Sequence, residues 1–352
     1  MTENEILMVN ALETALQHTL ERLSPDRVFV LTDANTHRLC WPRVASVAAL
    51  QTATPLTIEA GDDHKNLATL TQVWTALSEQ GATRHSCLVN VGGGMVTDLG
   101  GFAASTFKRG IAFVNLPTTL SAMVDASVGG KTGINFMGLK NEIGAFCAPN
   151  AVLIDSQFLA TLDARNLRSG YAEMLKHALI AQPEKLYALL SFDLEQPHLT
   201  RLLPLIEASI AVKKRVVEQD VREQGLRKVL NFGHTMGHAF ESFAMRRTPI
   251  LHGYAVAYGM LCELYLSHIK CGFPLQELRQ VVQFIREHYG QLPISCDDYD
   301  ELLRWMLHDK KNTHNRINFT LLRAVGDYQL DETATAADIK APVDVIREGL
   351  QC

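Results

Sequence analysis

The sequence has 352 residues, 47% of them apolar and 20% charged, with a formal net charge of -5 at pH 7. This length suits two domains or one large one, and the acidic balance lacks the basic footprint that nucleic-acid binding requires. No apolar run reaches the roughly 18 residues of a membrane span, so neither nucleic acid nor membrane is expected among the partners. Seven cysteines are scattered without a CxxC pair, and MTENEILMVN lacks the basic-then-apolar pattern of a secretion signal. A cytoplasmic protein with reduced thiols is the expectation.

In chain order, RVFVLTD (27–33) predicts a buried strand followed by a helical stretch to about Leu50. TPLTIEAG (54–61) is a second strand, and 65–80 is an amphipathic helix. SCLVNVGGG (86–94), IAFVNLP (111–117) and AVLID (151–155) complete the strand series. Strands alternating with helices indicate a mostly parallel sheet covered on both faces. Beyond about Leu159 helical patterns follow one another at 166–180, 198–220, 225–245, 252–271 and 275–289, and only INFTLL (317–322) reads as extended. The expected division is 1–160 and 161–352, with a ligand site in the cleft between the two.

Three segments carry chemistry. VNVGGGMVTDLGGFAAS (89–105) runs from a strand through Gly92, Gly93 and Gly94 into a helix that bears Asp98. This is not GxGxxG, yet small residues and a free helix start suit a phosphate. A tight strand-to-helix turn explains the glycines equally well. Asp33, at the end of the first predicted strand, stands where a ribose-binding acid is expected. In GLRKVLNFGHTMGHAFE, His234 and His238 are four apart and share a helical face. With His252 in LHGYAVAYGM (251–260) and Glu173 in GYAEMLKH, they offer imidazoles and a carboxylate for a catalytic zinc. Core or capping histidines are the competing explanation, and the absence of HExxH excludes a zinc protease. Gly233, Gly237 and Gly253 beside the histidines suggest a ligand or metal close to the backbone. Finally, 118–146 places Asp125, Lys131, Asn135, Lys140 and Asn141 among glycines, which suggests a loop gripping an anion. Arg109, Lys176, Lys213, Arg227 and Asn231 lie near the same motifs; together they suit a substrate with both phosphate and carboxylate. Ordinary surface charge is the competing reading for some, notably Lys213 beside Lys214 and Arg215.

Taken together, GGGMVTDLGGFAASTFKRG, PTTL, VDASVGGKTGIN, GLKNEIGAF, GYAEMLKH, GLRKVLNFGHTMGHAFE, HGYAVAYGM and DKK occur in one order that resembles the 3-dehydroquinate synthase family. The resemblance implies an α/β, Rossmann-like N-terminal domain with a mostly parallel sheet, an all-α C-terminal domain and a homodimer. It implies bound NAD and one divalent metal, zinc first and cobalt as the alternative. The family's metal ligands fall on Glu173, His234 and His252. Its NAD contacts fall on Asp33, Asn35, Asp62, Lys65, Gly93, Gly94, Met95, Asp98, Thr118, Thr119, Asp125, Lys131, Lys140, Phe158, Thr161 and Leu162. Its substrate and catalytic positions fall on Arg109, Lys131, Asn141, Lys176, Lys213, Arg227, Asn231, His238, Lys310 and Lys311, with Arg109 reaching the partner subunit's substrate. The implied reaction converts 3-deoxy-D-arabino-heptulosonate 7-phosphate to 3-dehydroquinate and phosphate in the shikimate pathway. It runs through transient oxidation, β-elimination, re-reduction and an intramolecular aldol closure. Two departures stand out: the family's HGE is HGY here, with Tyr254, and its GExxK is GDDHK, with Asp62. The rivals are a cyclase acting on sedoheptulose 7-phosphate, a polyol dehydrogenase of the glycerol type, and a non-catalytic nucleotide-binding regulator.

Overall fold

The run Cys87–Gly92 is buried at every residue, as a strand covered on both faces must be. A computed structural model describes residues 5–245, 247–307 and 317–348, and the chain divides into two units, Met1–Asp163 and Ala164–Cys352. In the first unit, β1 (Glu5–Met8) and α1 (Leu12–Leu23) precede β2 (Val28–Asp33), α2 (Ala34–Leu39), α3 (Trp41–Val44) and β3 (Thr54–Ile58). Then come α4 (Leu67–Glu79), β4 (Cys87–Gly92), α5 (Gly94–Thr106), β5 (Ala112–Pro117), β6 (Lys131–Phe136), β7 (Leu139–Phe146) and β8 (Ala151–Ile154). Six strands form one sheet in the order β1-β8-β5-β4-β2-β3, and every neighbouring pair in it is parallel.

The order decides where a ligand can bind. The chain runs outward from β2 to β3, then returns to place β4 on the other side of β2 and continues outward through β5 and β8. The direction therefore reverses between β2 and β4, and the carboxyl ends of those two strands border a crevice. Asp33 closes β2, and Gly92 closes β4 just before α5.

Two expectations in this unit need correction. The helical stretch expected up to Leu50 is broken into α2, α3 and a 3-10 turn at Ala48–Leu50. Pro42 lies in the first turn of α3, where it lacks an N–H to continue a preceding helix. The expected anion-gripping loop is instead an antiparallel hairpin of β6 and β7. Its glycines serve strand-to-strand approach: a Cβ on Gly133 would stand 2.6 Å from Ile143 O.

The second unit contains α6 (Ala164–Ala181), α7 (Pro183–Leu190), α8 (Leu199–Gln219), α9 (His234–Met245), α10 (His252–Cys271), α11 (Leu275–Tyr289) and α12 (Tyr299–Leu307). These are followed by β9 (Ile317–Ala324), β10 (Asp327–Ala334) and α13 (Ala336–Glu348). The helix expected over 225–245 is in fact a 3-10 segment, Leu226–Asn231, and then α9. The break falls at Gly233, whose φ of +78° no helix contains. The strand β10 was not foreseen: it pairs antiparallel with β9 through a register shift between Gln329 and Glu332, which spoils the alternation a sequence would display.

The glycines beside the histidines do not admit a ligand; they admit neighbouring backbone. A Cβ on Gly237 would stand 3.0 Å from Ala255 O, and one on Gly253 would lie inside the contact radius of Ser169 O. A Cβ on Gly259 would collide likewise with Gly233 O. Helix α10 thus meets α6 at Gly253 and α9 at Gly259 with nothing but backbone between them. Gly253→Ala and Gly259→Ala should each lower stability by about 3 kcal/mol or more, at or above the upper end of ordinary overpacking. Gly272→Ala, where φ is +78° but nothing lies within 4 Å, should cost only about 1–2 kcal/mol. Urea unfolding of the three variants checks that order; equal losses would show that the close approach is relieved by small shifts.

Candidate active site

In the first unit, α5 starts at Gly94 after an N-cap, Gly93, that provides no side-chain acceptor to its leading amides, the arrangement in which a helix start could receive an anion. Gly92, Gly93 and Gly94 are closely surrounded: a Cβ on Gly93 would stand 3.0 Å from Thr119 Cγ2, and one on Gly94 3.2 Å from Ala126 Cβ. Met95 lies in the first turn of the same helix. Thr118 is buried and its N–H donates to Gly92 O at 2.9 Å. Asp125 sits in the turn Ala122–Ala126. Asp33 caps α2, accepting from Thr36 N at 2.8 Å, and Asn35, two residues on, is exposed. Phe158 and Thr161 belong to the 3-10 segment Ser156–Thr161, with Leu162 as its end, and the Thr161 hydroxyl donates to Phe158 O at 2.7 Å.

A buried lysine organises the neighbouring polar groups. Lys65 Nζ lies 2.5 Å from Asp98 Oδ2 and donates to Asn141 Oδ1 at the same distance. Asn141, at φ +51°, donates its own N–H to Asn135 Oδ1, and Asn135 Nδ2 donates to Asp62 Oδ2 at 3.1 Å. Lys140 completes the chain, 3.1 Å from Asp62 Oδ2. Burial alone would raise the Asp62 pKa, but Lys140 and Lys65 outweigh it and hold the carboxyl below its ordinary value. The shorter Asp62 is thus ionised and connected. Lys131 opens β6 and is exposed. Arg109 is exposed as well, and both it (φ +68°) and Lys108 (φ +49°) are left-handed, strain that non-glycine residues seldom carry without a local purpose.

The second unit holds the other cluster. Glu173 on α6 is 0% exposed. Its Oε1 stands 3.6 Å from His234 Nε2 and 3.5 Å from His252 Nε2. Donors of a tetrahedral metal site with bonds of 2.0–2.1 Å lie about 3.4 Å apart. Both distances from Oε1 are those of donors that could share a divalent cation. His238 is one turn along α9, its ring centroid 5.3 Å from that of His234 and 5.9 Å from that of His252, and one ring nitrogen of each of the three histidines lies within 4.8 Å of the others.

Electrostatics sort these groups. Burial would raise the Glu173 pKa, yet Lys176, 2.5 Å from Oε2, and the imidazoles hold the carboxyl well below the usual carboxylate range. Burial and the Lys176 charge push His234 well below an ordinary histidine, which leaves a neutral ring able to ligate a metal. Burial opposes charge on His252 too, but Glu241 and Glu173 outweigh it and lift it to about 10. The negative field that favours a proton there equally favours a cation. Glu241, 3% exposed and 3.1 Å from His252 Nδ1, orients that ring. Sequence reading overlooked Glu241, although it lies seven residues, two turns, after His234 on the same helix face.

Of the remaining positions, Lys176, Lys213 and Arg227 are buried, at 1%, 7% and 2% exposure, and the plain surface-charge reading of Lys213 is discarded. Arg227 Nη1 donates to Val221 O at 2.6 Å, and Asn231 Nδ2 donates to Glu223 Oε1 at 2.5 Å. The turn that carries Arg227 is held by Asp220, also unforeseen: its carboxylate accepts from Gly225 N at 2.7 Å, Gln224 N at 3.0 Å and Arg227 N at 3.1 Å. Lys310 and Lys311 lie outside the described residues.

Family models described as 3-dehydroquinate synthase N-terminal and 3-dehydroquinate synthase C-terminal match residues 55–169 and 170–312. The chain belongs to the 3-dehydroquinate synthase family. A curated 3-dehydroquinate synthase of Parabacteroides distasonis is 52% identical over 99% of both chains. Among solved structures, ValA, a 2-epi-5-epi-valiolone synthase from Streptomyces hygroscopicus with NAD+ and Zn2+ bound, superposes with a TM-score of 0.87 at 29% identity, covering 99% of this chain and 98% of that one. A 2-deoxy-scyllo-inosose synthase complexed with carbaglucose-6-phosphate, NAD+ and Co2+ shares the fold, with a TM-score of 0.85 at 24% identity over 98% and 96% of the two chains. Tyr254, where the 3-dehydroquinate synthase motif has glutamate, is buried, its ring centroid 5.0 Å from that of Tyr289, while Glu241 supplies a carboxylate to His252.

The Asp220 turn makes a pH prediction. Gly225 N–H first, then Gln224 N–H, lower its pKa from the ordinary 3.8. A lowered folded-state pKa means that the stabilisation is complete above 3.8 and is lost as pH falls through the lower folded value. Asp220→Asn should therefore unfold at lower urea than wild type at neutral pH, and the gap should close in acid. A gap that is independent of pH would assign the loss to packing.

Proposed function

We propose that the protein is a cytoplasmic, homodimeric, NAD- and divalent-metal-dependent 3-dehydroquinate synthase, acting on 3-deoxy-D-arabino-heptulosonate 7-phosphate to give 3-dehydroquinate and phosphate. The observation that carries the reading is Glu173 Oε1 buried between two imidazole nitrogens at 3.5 and 3.6 Å in a chain of this family. When bound, NAD and the metal supply reversible hydride transfer and acidification of the substrate hydroxyl. Glu173, His234 and His252 hold the metal, with Glu241 fixing the His252 tautomer. His238 moves the hydroxyl proton, being one turn from His234 and partly exposed. The amides ahead of α5 with Gly93, Gly94 and Met95 hold the nucleotide diphosphate. Asp33, Asn35, Asp62, Lys65, Asp98, Thr118, Thr119, Asp125, Lys140, Phe158, Thr161 and Leu162 form the rest of the nucleotide site. Lys131 and Asn141 bind the substrate phosphate, and the strained, exposed Arg109 reaches that group on the partner subunit. Lys213, Arg227 and Asn231 bind the carboxylate end, and Lys176 places positive charge beside Glu173. The unit Met1–Asp163 thus carries the nucleotide site and Ala164–Cys352 the metal site. Among the described residues no helix is long and apolar enough to cross a membrane, and six cysteines are free.

Incubation with substrate and NAD, before and after chelation, tests the assignment. Metal-dependent phosphate release with no net NADH is expected. Release only from sedoheptulose 7-phosphate would overturn the substrate, and accumulating NADH would favour a dehydrogenase. His238→Asn should lower turnover by about 10²–10⁴-fold while metal content is kept. Mixing Arg109→Ala with Glu173→Gln protein should restore part of the activity that both lack alone; no recovery after verified subunit exchange would place Arg109 in its own subunit's site.

A further inference from the structure

Helix α9, which carries His234 and His238, has no cap of its own. The residue before it, Gly233, is at φ +78°, and a Cβ there would stand 2.6 Å from Met260 Cγ and 3.1 Å from Val256 O. The capping side chains that usually begin a helix are therefore barred from this position. The leading amides are buried and still require acceptors. They find one carboxylate, from another helix: Gly233 N–H donates to Glu263 Oε2 at 2.6 Å, and Met236 N–H to Oε1 at 3.2 Å. Glu263 is 0% exposed and belongs to α10, the helix that His252 opens. One turn before it, Gly259 is pressed against Gly233; one turn after it, the Ser267 hydroxyl donates to Glu263 O at 2.6 Å and accepts from Leu322 N at 3.0 Å. The backbone that carries the carboxylate is thus tied to β9 through Ser267.

We propose that Glu263 is a positioning residue that locks the start of α9 onto α10 and so sets the spacing of the His234 and His252 imidazoles. The proposal rests on the reading of those two as metal ligands. A negative group at the helix start also matches the positive end of its dipole, so the lock uses charge as well as geometry. Glutamine fills the same volume but keeps a single acceptor and turns an NH2 group toward one of the two amides. Glu263→Gln should leave the helices in place while loosening the start of α9.

The experiment titrates wild type and Glu263→Gln, both with NAD, using Co2+ alone, and records the visible absorption bands and the circular dichroism. Expected are a tetrahedral band in wild type, and in the variant a shifted band with affinity about tenfold or more weaker at unchanged helix content. A variant with the wild-type band and affinity overturns the proposal, whatever its melting temperature. Wild type that takes up no Co2+ sinks the ligand reading, and this proposal with it. If the variant does not fold, amide exchange of wild type decides: Gly233 and Met236 amides equally protected before and after chelation support the lock. Protection lost on chelation would mean that the metal holds the helix start, and would overturn it.

Discussion

A carboxylate with no exposed surface has to be surrounded by compensating charge, because withdrawing it from water costs several kcal/mol. Glu173 imposes that demand on the second unit. Its first answer is local, Lys176 one turn along α6. The others, His234 and His252, come from the starts of α9 and α10. For three helices to converge on one carboxylate they must approach more closely than side chains allow, and the glycines at 233, 237, 253 and 259 provide that approach. Close helix packing and the ligand set are two aspects of one arrangement.

Around it the charges alternate outward. Glu173 faces imidazoles, His252 faces Glu241, and the backbone that carries His234 faces Glu263. Each layer fixes the layer inside it. The first unit solves a similar problem with a cation at the centre: Lys65 is buried against Asp98 and Asn141, and Asp62 is tied to Lys140 and Asn135. There the sheet contributes backbone amides and a crevice where strand order reverses, whereas the second unit contributes side chains. An enzyme that depends on NAD and on a divalent metal needs a place for each.

The core of both units is legible as sequence. Runs such as Cys87–Gly92 and Ala151–Ile154 are buried throughout, and helices with long amphipathic faces, α8 and α11 among them, fall within a residue of their expected bounds. Less legible are the places where backbone meets backbone. The hairpin β6–β7 and the strand β10 pair with their chain neighbours through shifted registers, which blur the alternation, and the break at Gly233 follows from its contact with α10. The glycines beside the histidines carry a signal that is real, but its cause is the neighbouring helix.

The sequence by itself determined the family, the parallel strand-helix alternation, and the identities of Glu173, His234, His238 and His252 as groups able to share a site. Their residue types and order are chemical facts of the chain. The tertiary structure alone decided that Glu173 lies at 3.5–3.6 Å from two imidazoles, that Glu241 orients His252, and that Glu263 and Asp220 hold the backbone beneath His234 and Arg227. The Glu241 and Glu263 contacts join different helices, 11 and 30 residues apart in sequence, and no local period announces such a pairing. Only packing brings a carboxylate to a distant amide, and only that contact tells an anchoring glutamate from any other.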